Sequence, residues 1–282
     1  MGSRRLASLA ALALLAGCAA VADPLEQSLL YRHRPVSAER YKAIVAREAG
    51  VEEVRLPMSD GTVLHGLLKR AAEPAPGGRA PLVIFFGGVA RETSWMAGWG
   101  DKPPAWGWLM VNYRGYGLSE GRPSHDALVA DAREIFDWAA ARPDVDADRI
   151  VVLGRSLGSF VAVSLAAQRP VRAAILATPF DSLAALADRR YPLLPTNLLL
   201  GGRYDSAALA PAIRVPALFV IAENDDVTPP AHGEALARAW GGPSVVIRLP
   251  GGHRMPEWRP EYWSAVGEFL APLQRRGGTV QK

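Results

Sequence analysis

The stretch that decides the fold is IVVLGRSLG, residues 150–158. It begins with four consecutive apolar residues, Ile150–Leu153, a run typical of a strand buried on both faces of a sheet. Gly154, Ser156 and Gly158 follow in the pattern G-x-S-x-G, and a helical pattern comes next. A sharp turn from strand to helix exposes a serine side chain, and small residues on either side leave room for it. The stretch therefore predicts Ser156 as a nucleophile on a strand–turn–helix elbow.

Short apolar runs alternate with helical patterns along most of the chain. Further runs that predict buried strands are Leu82–Phe86, Trp108–Asn112, Ala173–Ala177, Ala217–Ala222 and Ser244–Leu249. Segments with helical spacing are His125–Ala141, Ser159–Gln168, Ala231–Trp240 and Pro260–Gln274. Two β-like runs, Glu52–Pro57 and Thr62–Lys69, flank Asp60-Gly61, a pair typical of a hairpin turn. The sequence thus predicts an α/β fold with a mostly parallel central sheet, helices on both faces and an N-terminal β-hairpin.

The composition excludes several classes of protein. The chain has 282 residues, 49% hydrophobic and 21% charged, as in globular rather than disordered proteins. A single cysteine excludes an intramolecular disulfide and a cluster of thiolate metal ligands. We expect no metal and no organic cofactor. The net charge of +4 comes from scattered arginines without a basic stripe, so we expect no nucleic-acid partner, and nothing indicates an obligate protein partner.

The first residues have the layout of a secretory signal. Arg4 and Arg5 precede an apolar stretch, Leu6–Ala16. The stretch ends in LAGC, residues 15–18, which resembles a bacterial lipobox and places the single cysteine, Cys18, where lipid would be attached. The alternative is a free cysteine in an ordinary signal peptide.

This interpretation divides the chain into four parts. They are a lipoprotein signal peptide (residues 1–17), a tether (18–34), a single α/β domain (35–275) and a C-terminal tail (276–282). We expect a lipid-anchored protein of the bacterial cell envelope. Because Ala19 rather than aspartate follows the cysteine, the resemblance favours the outer membrane, with the domain facing the periplasm.

A serine nucleophile needs a histidine base and an acid that orients it, in the chain order serine, acid, histidine. Two histidines follow Ser156. His253 lies in a glycine-rich loop directly after a predicted strand, whereas His232 lies at the start of a predicted helix, so we assign the base to His253. The acid should follow the strand before, where Asp225 and Asp226 are adjacent; spacing does not separate them, and we prefer Asp225.

The oxyanion of a tetrahedral intermediate needs hydrogen-bond donors. One predicted donor is the backbone N–H of Leu157, directly after the nucleophile. The other is the N–H of Gly88 in the loop after the first buried strand, since glycine permits close approach of a ligand; Val89 is the alternative.

The elbow, the acid and base loops and the oxyanion loop together resemble those of the α/β-hydrolase superfamily. The resemblance is to its lidless group in particular, which includes serine aminopeptidase-like and depalmitoylase-like α/β-hydrolase domain proteins. The resemblance runs from about Val51 to Leu270, and its most specific stretch is NYRGYGLSEG, residues 112–121, which we expect to shape a loop rather than to react. The resemblance supports Asp225 over Asp226. Many relatives carry His-Gly-Asn-Ala at the oxyanion loop, where this chain has FGGV, residues 86–89, so backbone donors remain and the second one stays open.

Several other features of the sequence are interpreted as structural rather than catalytic. The segment between Asp181 and Val215 is too short for a large cap domain. Arg155, inside the elbow, could face an anionic substrate, but this position more often packs or faces solvent. Four tryptophans could line an acyl pocket, although core packing is the preferred interpretation of each: Trp95, Trp99, Trp106 and Trp108.

The sequence therefore predicts a serine hydrolase that cleaves carboxylic esters or thioesters through an acyl-enzyme, acting on a small-molecule or lipid acyl ester. Two alternatives remain open. One is a peptidase of the serine aminopeptidase type, and the other is a catalytically silent hydrolase fold that acts as a binding lipoprotein.

Overall fold

The computed structural model describes residues 30–31, 34–72, 78–89, 91–99, 102–190, 193, 196, 200, 202–254 and 256–275. The predicted signal peptide, Cys18 and the C-terminal tail lie outside these residues, as does most of the predicted tether. In the described part of the chain, no helix has both the length and the apolar character needed to cross a membrane.

A sheet of eight strands forms the centre of the domain. The strands of the structure, in chain order, are β1 (Arg34–Pro35), β2 (Val51–Pro57), β3 (Val63–Lys69), β4 (Ala80–Phe86), β5 (Gly107–Val111), β6 (Tyr116–Gly117), β7 (Val145–Arg155), β8 (Ala173–Ala177), β9 (Ala217–Ala222) and β10 (Ser244–Leu249). Eight of these strands form the central sheet, in the order β2-β3-β5-β4-β7-β8-β9-β10, and β1 and β6 form a separate two-stranded sheet. Strand β3 is antiparallel to both β2 and β5, and all other neighbours are parallel. This is the α/β-hydrolase fold that the sequence predicts.

Helices cover both faces of the sheet. The α-helices with defined bounds in the described residues are α1 (Ala38–Arg47), α2 (His125–Ala140), α3 (Leu157–Ala166), α4 (Leu183–Arg190), α5 (Ser206–Leu209), α6 (Pro230–Ala239) and α7 (Pro260–Leu270). The hydroxyl of Ser124 caps α2 by accepting a hydrogen bond from the Ala127 N–H at 3.1 Å.

The core lies on both sides of the sheet because alternate side chains of a strand point to opposite faces. In β4, Leu82, Ile84 and Phe86 belong to one buried cluster, and Val83 and Phe85 belong to the other. All five are at most 2% exposed, which explains why the central strands are continuous apolar runs.

The fold begins earlier in the chain than the sequence predicts. Tyr31, which lies in the predicted tether, is 4% exposed, and its hydroxyl is hydrogen-bonded to the hydroxyl of Tyr204. Strand β1 pairs in parallel with β6, and α1 follows it. The sequence analysis gives no helix at α1, whose fully buried residue is Tyr41. The boundary at residue 35 therefore moves back to include Leu30 and Tyr31.

The loop after β5 has a structural role, as predicted. Arg114 donates to both carboxylate oxygens of Asp131 in α2, at 2.9 and 2.7 Å, and also to Asp60 in the turn between β2 and β3. The Asp131 side chain is 5% exposed. Burial raises the pKa of Asp131 above its usual value, and the Arg114 guanidinium offsets part of that rise. Arg114 thus joins the loop, the hairpin and the helix.

We expect Arg114→Met to lower the free energy of unfolding by about 3–5 kcal/mol, because it leaves a buried carboxylate without its cation. Urea denaturation measures the change. Arg169→Met is the matched control, since it removes an arginine that also binds α2 through both carboxylate oxygens, of Asp137, but at an exposed site. The control should cost less than about 1 kcal/mol. Equal costs for the two variants would contradict the importance of burial at Asp131.

Candidate active site

The nucleophile elbow is present where the sequence predicts it. Ser156 lies between β7 and α3 with φ 54° and ψ −120°, a backbone conformation that residues other than glycine rarely adopt. Its N–H donates to the carbonyl of Ala177 on β8 at 2.9 Å, and its carbonyl accepts from the Ser159 hydroxyl at 2.6 Å. These bonds hold the turn, and the positive end of the α3 dipole lies beside the serine.

Both glycines of the elbow are required by close packing of the backbone. A Cβ atom at Gly154 would lie 2.7 Å from the Ser159 Cα. A Cβ atom at Gly158 would lie 2.6 Å from the carbonyl carbon of Phe86 in β4. Because α3 packs directly against the ends of β7 and β4, a side chain at either position would push the helix away.

The structure brings Ser156, His253 and Asp225 together. The Ser156 Oγ is 3.0 Å from the His253 Nε2, and the His253 Nδ1 is 2.9 and 3.0 Å from the two Asp225 carboxylate oxygens. The Asp225 side chain is fully buried, whereas Asp226 is exposed. Of the two adjacent aspartates, only Asp225 reaches the histidine.

The environment of Asp225 favours its ionised form. Its Oδ1 accepts hydrogen bonds from the N–H groups of Val227 and Thr228 at 2.9 and 2.7 Å, and its Oδ2 accepts from the Thr228 hydroxyl at 2.9 Å. Burial alone raises the pKa of Asp225, but the hydrogen bond and charge of His253, together with the Thr228 donors, outweigh it and lower the pKa below its usual value. A charged carboxylate therefore faces the imidazole.

Thr228 is a residue of the candidate site that the sequence reasoning missed. Its hydroxyl is 3.1 Å from the His253 Nδ1 and 3.1 Å from the carbonyl of Thr178, which lies just after β8 with φ 47°. Thr228 thus joins the acid loop to the neighbouring strand. A threonine three residues after an aspartate is a pattern of local side chain-to-backbone hydrogen bonding that could have identified it.

The loop after β4 lies against Ser156, the predicted nucleophile. A Cβ atom at Gly88 would be 3.3 Å from the Ser156 Cβ. The hydroxyl of Tyr113 donates to the Gly87 carbonyl at 2.7 Å, and that of Tyr116 donates to the Val89 carbonyl at 2.9 Å. The loop after β5 therefore fixes the backbone that carries both candidates for the second oxyanion donor.

The first candidate donor is at the start of a helix. Leu157 is the first residue of α3, so its N–H belongs to the group that has no acceptor within the helix. His232, the histidine that the sequence analysis sets aside, is the third residue of α6 and has its Nδ1 2.8 Å from the Asp181 Oδ1. It is paired with that carboxylate rather than with Ser156.

Two of the four tryptophans pack in the core, as preferred, since Trp106 and Trp108 are fully buried. Trp99 stacks on Trp263 with a centroid distance of 5.7 Å, and Trp95 contacts Phe85 edge-on at 5.9 Å. Among the described residues, no group of three or more histidine, cysteine, aspartate or glutamate side chains is arranged to hold a metal ion.

Parts of the chain match two families of serine hydrolases, and solved hydrolases share its fold. Residues 79–198 match the family model described as Serine aminopeptidase, S33, and residues 149–262 match the model described as Serine hydrolase (FSH1). Among solved structures, an esterase of Pyrococcus furiosus, Pf2001, superposes with a TM-score of 0.67 at 17% identity, covering 86% of this chain and 96% of that one. An acetyl xylan esterase of Paenibacillus sp. R4 superposes with a TM-score of 0.63 at 20% identity, covering 85% and 96%.

Relatives are also found by sequence. The protein Rv2307c of Mycobacterium tuberculosis is 39% identical over 184 residues, which cover 64% of this chain and 66% of the relative, just under two thirds of its length. The α/β-hydrolase domain-containing protein WAV2 of Arabidopsis thaliana is 30% identical over 256 residues, covering 81% and 82%. With the fold, the elbow and these matches together, the chain belongs to the α/β-hydrolase superfamily.

Proposed function

We propose that this protein is a serine hydrolase that cleaves carboxylic esters or thioesters through an acyl-enzyme on Ser156. The observation that carries the proposal is the continuous series of hydrogen-bonding distances from the Ser156 Oγ through His253 to the buried Asp225. This arrangement activates a hydroxyl that is otherwise a weak nucleophile.

In the proposed reaction the Ser156 Oγ attacks the acyl carbon while the His253 Nε2 takes its proton. Asp225 accepts the hydrogen bond from the His253 Nδ1 and stabilises the imidazolium. The oxyanion accepts hydrogen bonds from the N–H of Leu157 and from that of Gly88, or from Val89 in its place. The carbon–oxygen or carbon–sulfur bond then breaks, and His253 protonates the leaving alcohol or thiol. Water, deprotonated by His253, attacks the acyl-enzyme and releases the acid and Ser156.

The similar structures and the matching family model support cleavage of different bonds, an ester in one case and a peptide in the other. The structural neighbours include the Pyrococcus furiosus esterase and the Paenibacillus acetyl xylan esterase, which supports ester cleavage. The match of residues 79–198 to the serine aminopeptidase model supports a second candidate, a peptidase. The segment between β8 and β9 leaves no room for a large cap domain that would select peptides, and we therefore favour the ester or thioester.

We expect a fluorophosphonate probe to label the protein at Ser156, because the probe reacts with activated serine hydroxyls. Ser156→Ala should abolish labelling, and His253→Gln should lower the labelling rate by at least ~10³-fold, since the general base is lost. Mass spectrometry of the labelled peptide and gel fluorescence measure both. Asp226→Asn, at the exposed neighbour of the acid, should label like the parent.

A folded parent that does not react would contradict the proposal and favour a silent binding fold. For a reactive parent, p-nitrophenyl acyl esters, acyl thioesters and aminoacyl anilides of matched size are then compared by kcat/KM. Higher values for anilides than for both acyl series would transfer the assignment to the peptidase.

The lowered pKa of Asp225 predicts how stability depends on pH. A carboxyl whose pKa is lower in the folded than in the unfolded chain stabilises the fold above the unfolded value, near 3.9, and this contribution is lost as pH falls through the folded value. Asp225→Asn should therefore lose less free energy of unfolding than the parent when pH falls from about 5 to about 3. Urea denaturation at several pH values measures the slope. Asp226→Asn serves as the exposed control, and an unchanged slope in Asp225→Asn would contradict the assignment.

We also propose that Cys18 carries lipid and that the protein is anchored in the bacterial envelope by it. The support is the LAGC sequence after an apolar stretch. In a Gram-negative host, an alkyne analogue of palmitate should label the full chain, and Cys18→Ala should abolish the label and release the protein from the membrane fraction. Equal labelling of the two proteins would overturn the anchor without affecting the proposed reaction.

A further inference from the structure

We propose that Arg155, the residue directly before the nucleophile, is a positioning residue that holds the base His253, with Glu257 as its counter-charge. The inference rests on the proposed function, because it assigns a role within the same reaction. The sequence analysis prefers packing or solvent exposure for Arg155 over contact with an anionic substrate, and the structure places its side chain against the loop of His253.

The guanidinium of Arg155 contacts the loop that carries the base at two points. Its Nη2 donates to the His253 backbone carbonyl at 2.7 Å. Its Nε is 3.3 and 3.4 Å from the two Glu257 carboxylate oxygens. A planar guanidinium with several fixed N–H donors is suited to hold two acceptors at once, which the single ammonium of lysine does less rigidly.

The same side chain also lies beside the oxyanion loop. A Cβ atom at Gly88 would be 3.4 Å from the Arg155 Nη1 and 3.3 Å from the Ser156 Cβ. Arg155 is therefore bonded to Ser156 through the peptide bond, is hydrogen-bonded to the loop of His253, and lies next to the loop of Gly88. The Arg155 side chain is 14% exposed, and two of its three nitrogens, Nε and Nη2, contact Glu257 and His253.

The base loop needs such a contact because its sequence is permissive. Gly251 and Gly252 immediately precede His253, and Gly251 has φ 118°. The carbonyl of Gly251 accepts from the Asn224 N–H at 2.9 Å, which fixes the start of the loop. Two residues later, Arg155 fixes the carbonyl of the histidine itself. The 3.0 Å distance between the His253 Nε2 and the Ser156 Oγ depends on both ends of the loop being held.

Glu257 is itself fixed to the helix that follows. It is 3% exposed, and its carbonyl accepts a hydrogen bond from the Trp263 Nε1 in α7 at 2.8 Å. The indole of Trp263 stacks on Trp99. A series of contacts thus runs from α7 through Glu257 and Arg155 to the backbone of the base, so the position of His253 is set by the packed core as well as by Asp225.

The pair also balances charge near the imidazole. The charged groups on the segments around His253 are the Asp225 carboxylate and its exposed neighbour Asp226, Arg155 with Glu257, the exposed Arg254, and Arg259, whose guanidinium lies near Gly251. Removing only the glutamate charge leaves a cation near the imidazole and disfavours the imidazolium. Removing only the arginine leaves a buried carboxylate and favours it. A purely structural role has no reason to produce opposite effects.

The test compares Arg155→Met, Arg155→Lys and Glu257→Gln in the full chain with p-nitrophenyl acetate and the fluorophosphonate probe. We expect Arg155→Met to lower kcat by about 100-fold with little change in KM, because a displaced base loses alignment while substrate contacts remain. In a plot of kcat/KM against pH, the acid limb is the range in which kcat/KM falls as the pH is lowered. This acid limb should move to higher pH in Arg155→Met and to lower pH in Glu257→Gln. Arg155→Lys should recover part of kcat and have its acid limb at the same pH as the parent.

Arg149→Met is the matched control. Arg149 lies on the same strand, β7, and also binds a carboxylate, of Asp146, and two backbone carbonyls, but near the opposite end. It should lower the unfolding midpoint and leave kcat per folded molecule and the pH profile unchanged. If Arg155→Met does not fold, the near-isosteric Glu257→Gln still tests the proposal through its kcat and its pH profile.

Parental kcat in both Arg155→Met and Glu257→Gln overturns the positioning role, as does a fall in kcat that Arg149→Met reproduces. The positioning role is also overturned if kcat falls while the acid limb of kcat/KM stays in place, or if the acid limbs of Arg155→Met and Glu257→Gln move in the same direction. The loss would then come from a general loosening of the fold. Failure of the proposed function is distinguishable, because the parent itself would then fail to react with the probe.

Discussion

The contact between the start of α3 and the end of β4 is the constraint on which the site depends. At Gly158 the helix backbone approaches the Phe86 carbonyl so closely that no side chain fits between them. This approach places a helix N-terminus beside the loop after β4, where Gly88 lies against Ser156. The two candidate oxyanion donors thus come from elements 69 residues apart, Gly88 and Leu157, and are brought together by one backbone crossing. Since backbone shape rather than a side chain supplies these donors, the replacement of His-Gly-Asn-Ala by FGGV does not remove them.

The candidate acid, Asp225, and the candidate base, His253, are held by further polar contacts around them. Thr228 links Asp225 and His253 to the Thr178 carbonyl after β8, and Arg155 with Glu257 links the base to α7. The first link starts just after β8 and the second at the end of β7, and both contact loops at the carboxyl edge of the parallel strands. Loops of this kind are the usual site of function in α/β folds because the rigid strands position them. Here the loops are additionally joined to one another, which limits their separate movement.

The agreement between sequence and structure follows from burial. Strands β8, β9 and β10 begin and end at the predicted residues, because each apolar run coincides with a complete strand. The sequence could select Ser156, Asp225 and His253, which the structure brings within hydrogen-bonding distance of one another, since a strict chain order and the ends of strands restrict the choice. Helix α1 was missed because it buries chiefly one side chain, Tyr41, and so shows weak apolar periodicity. Tyr31 and the pair Arg155–Glu257 were missed because their partners lie 173 and 102 residues away, and nothing local records such pairing.

The pairing of β1 with β6 determines where the chain enters the domain. Strand β6 follows the carboxyl end of β5, and the Tyr116 within it holds the Val89 carbonyl next to the elbow. A pulling force applied upstream of Leu30 would therefore pass first to the contact of Tyr31 and to a two-residue ladder at this edge of the sheet, rather than to the edge where the parallel strands begin. An attachment upstream of Leu30 would therefore act on the same edge of the domain at which Ser156 lies.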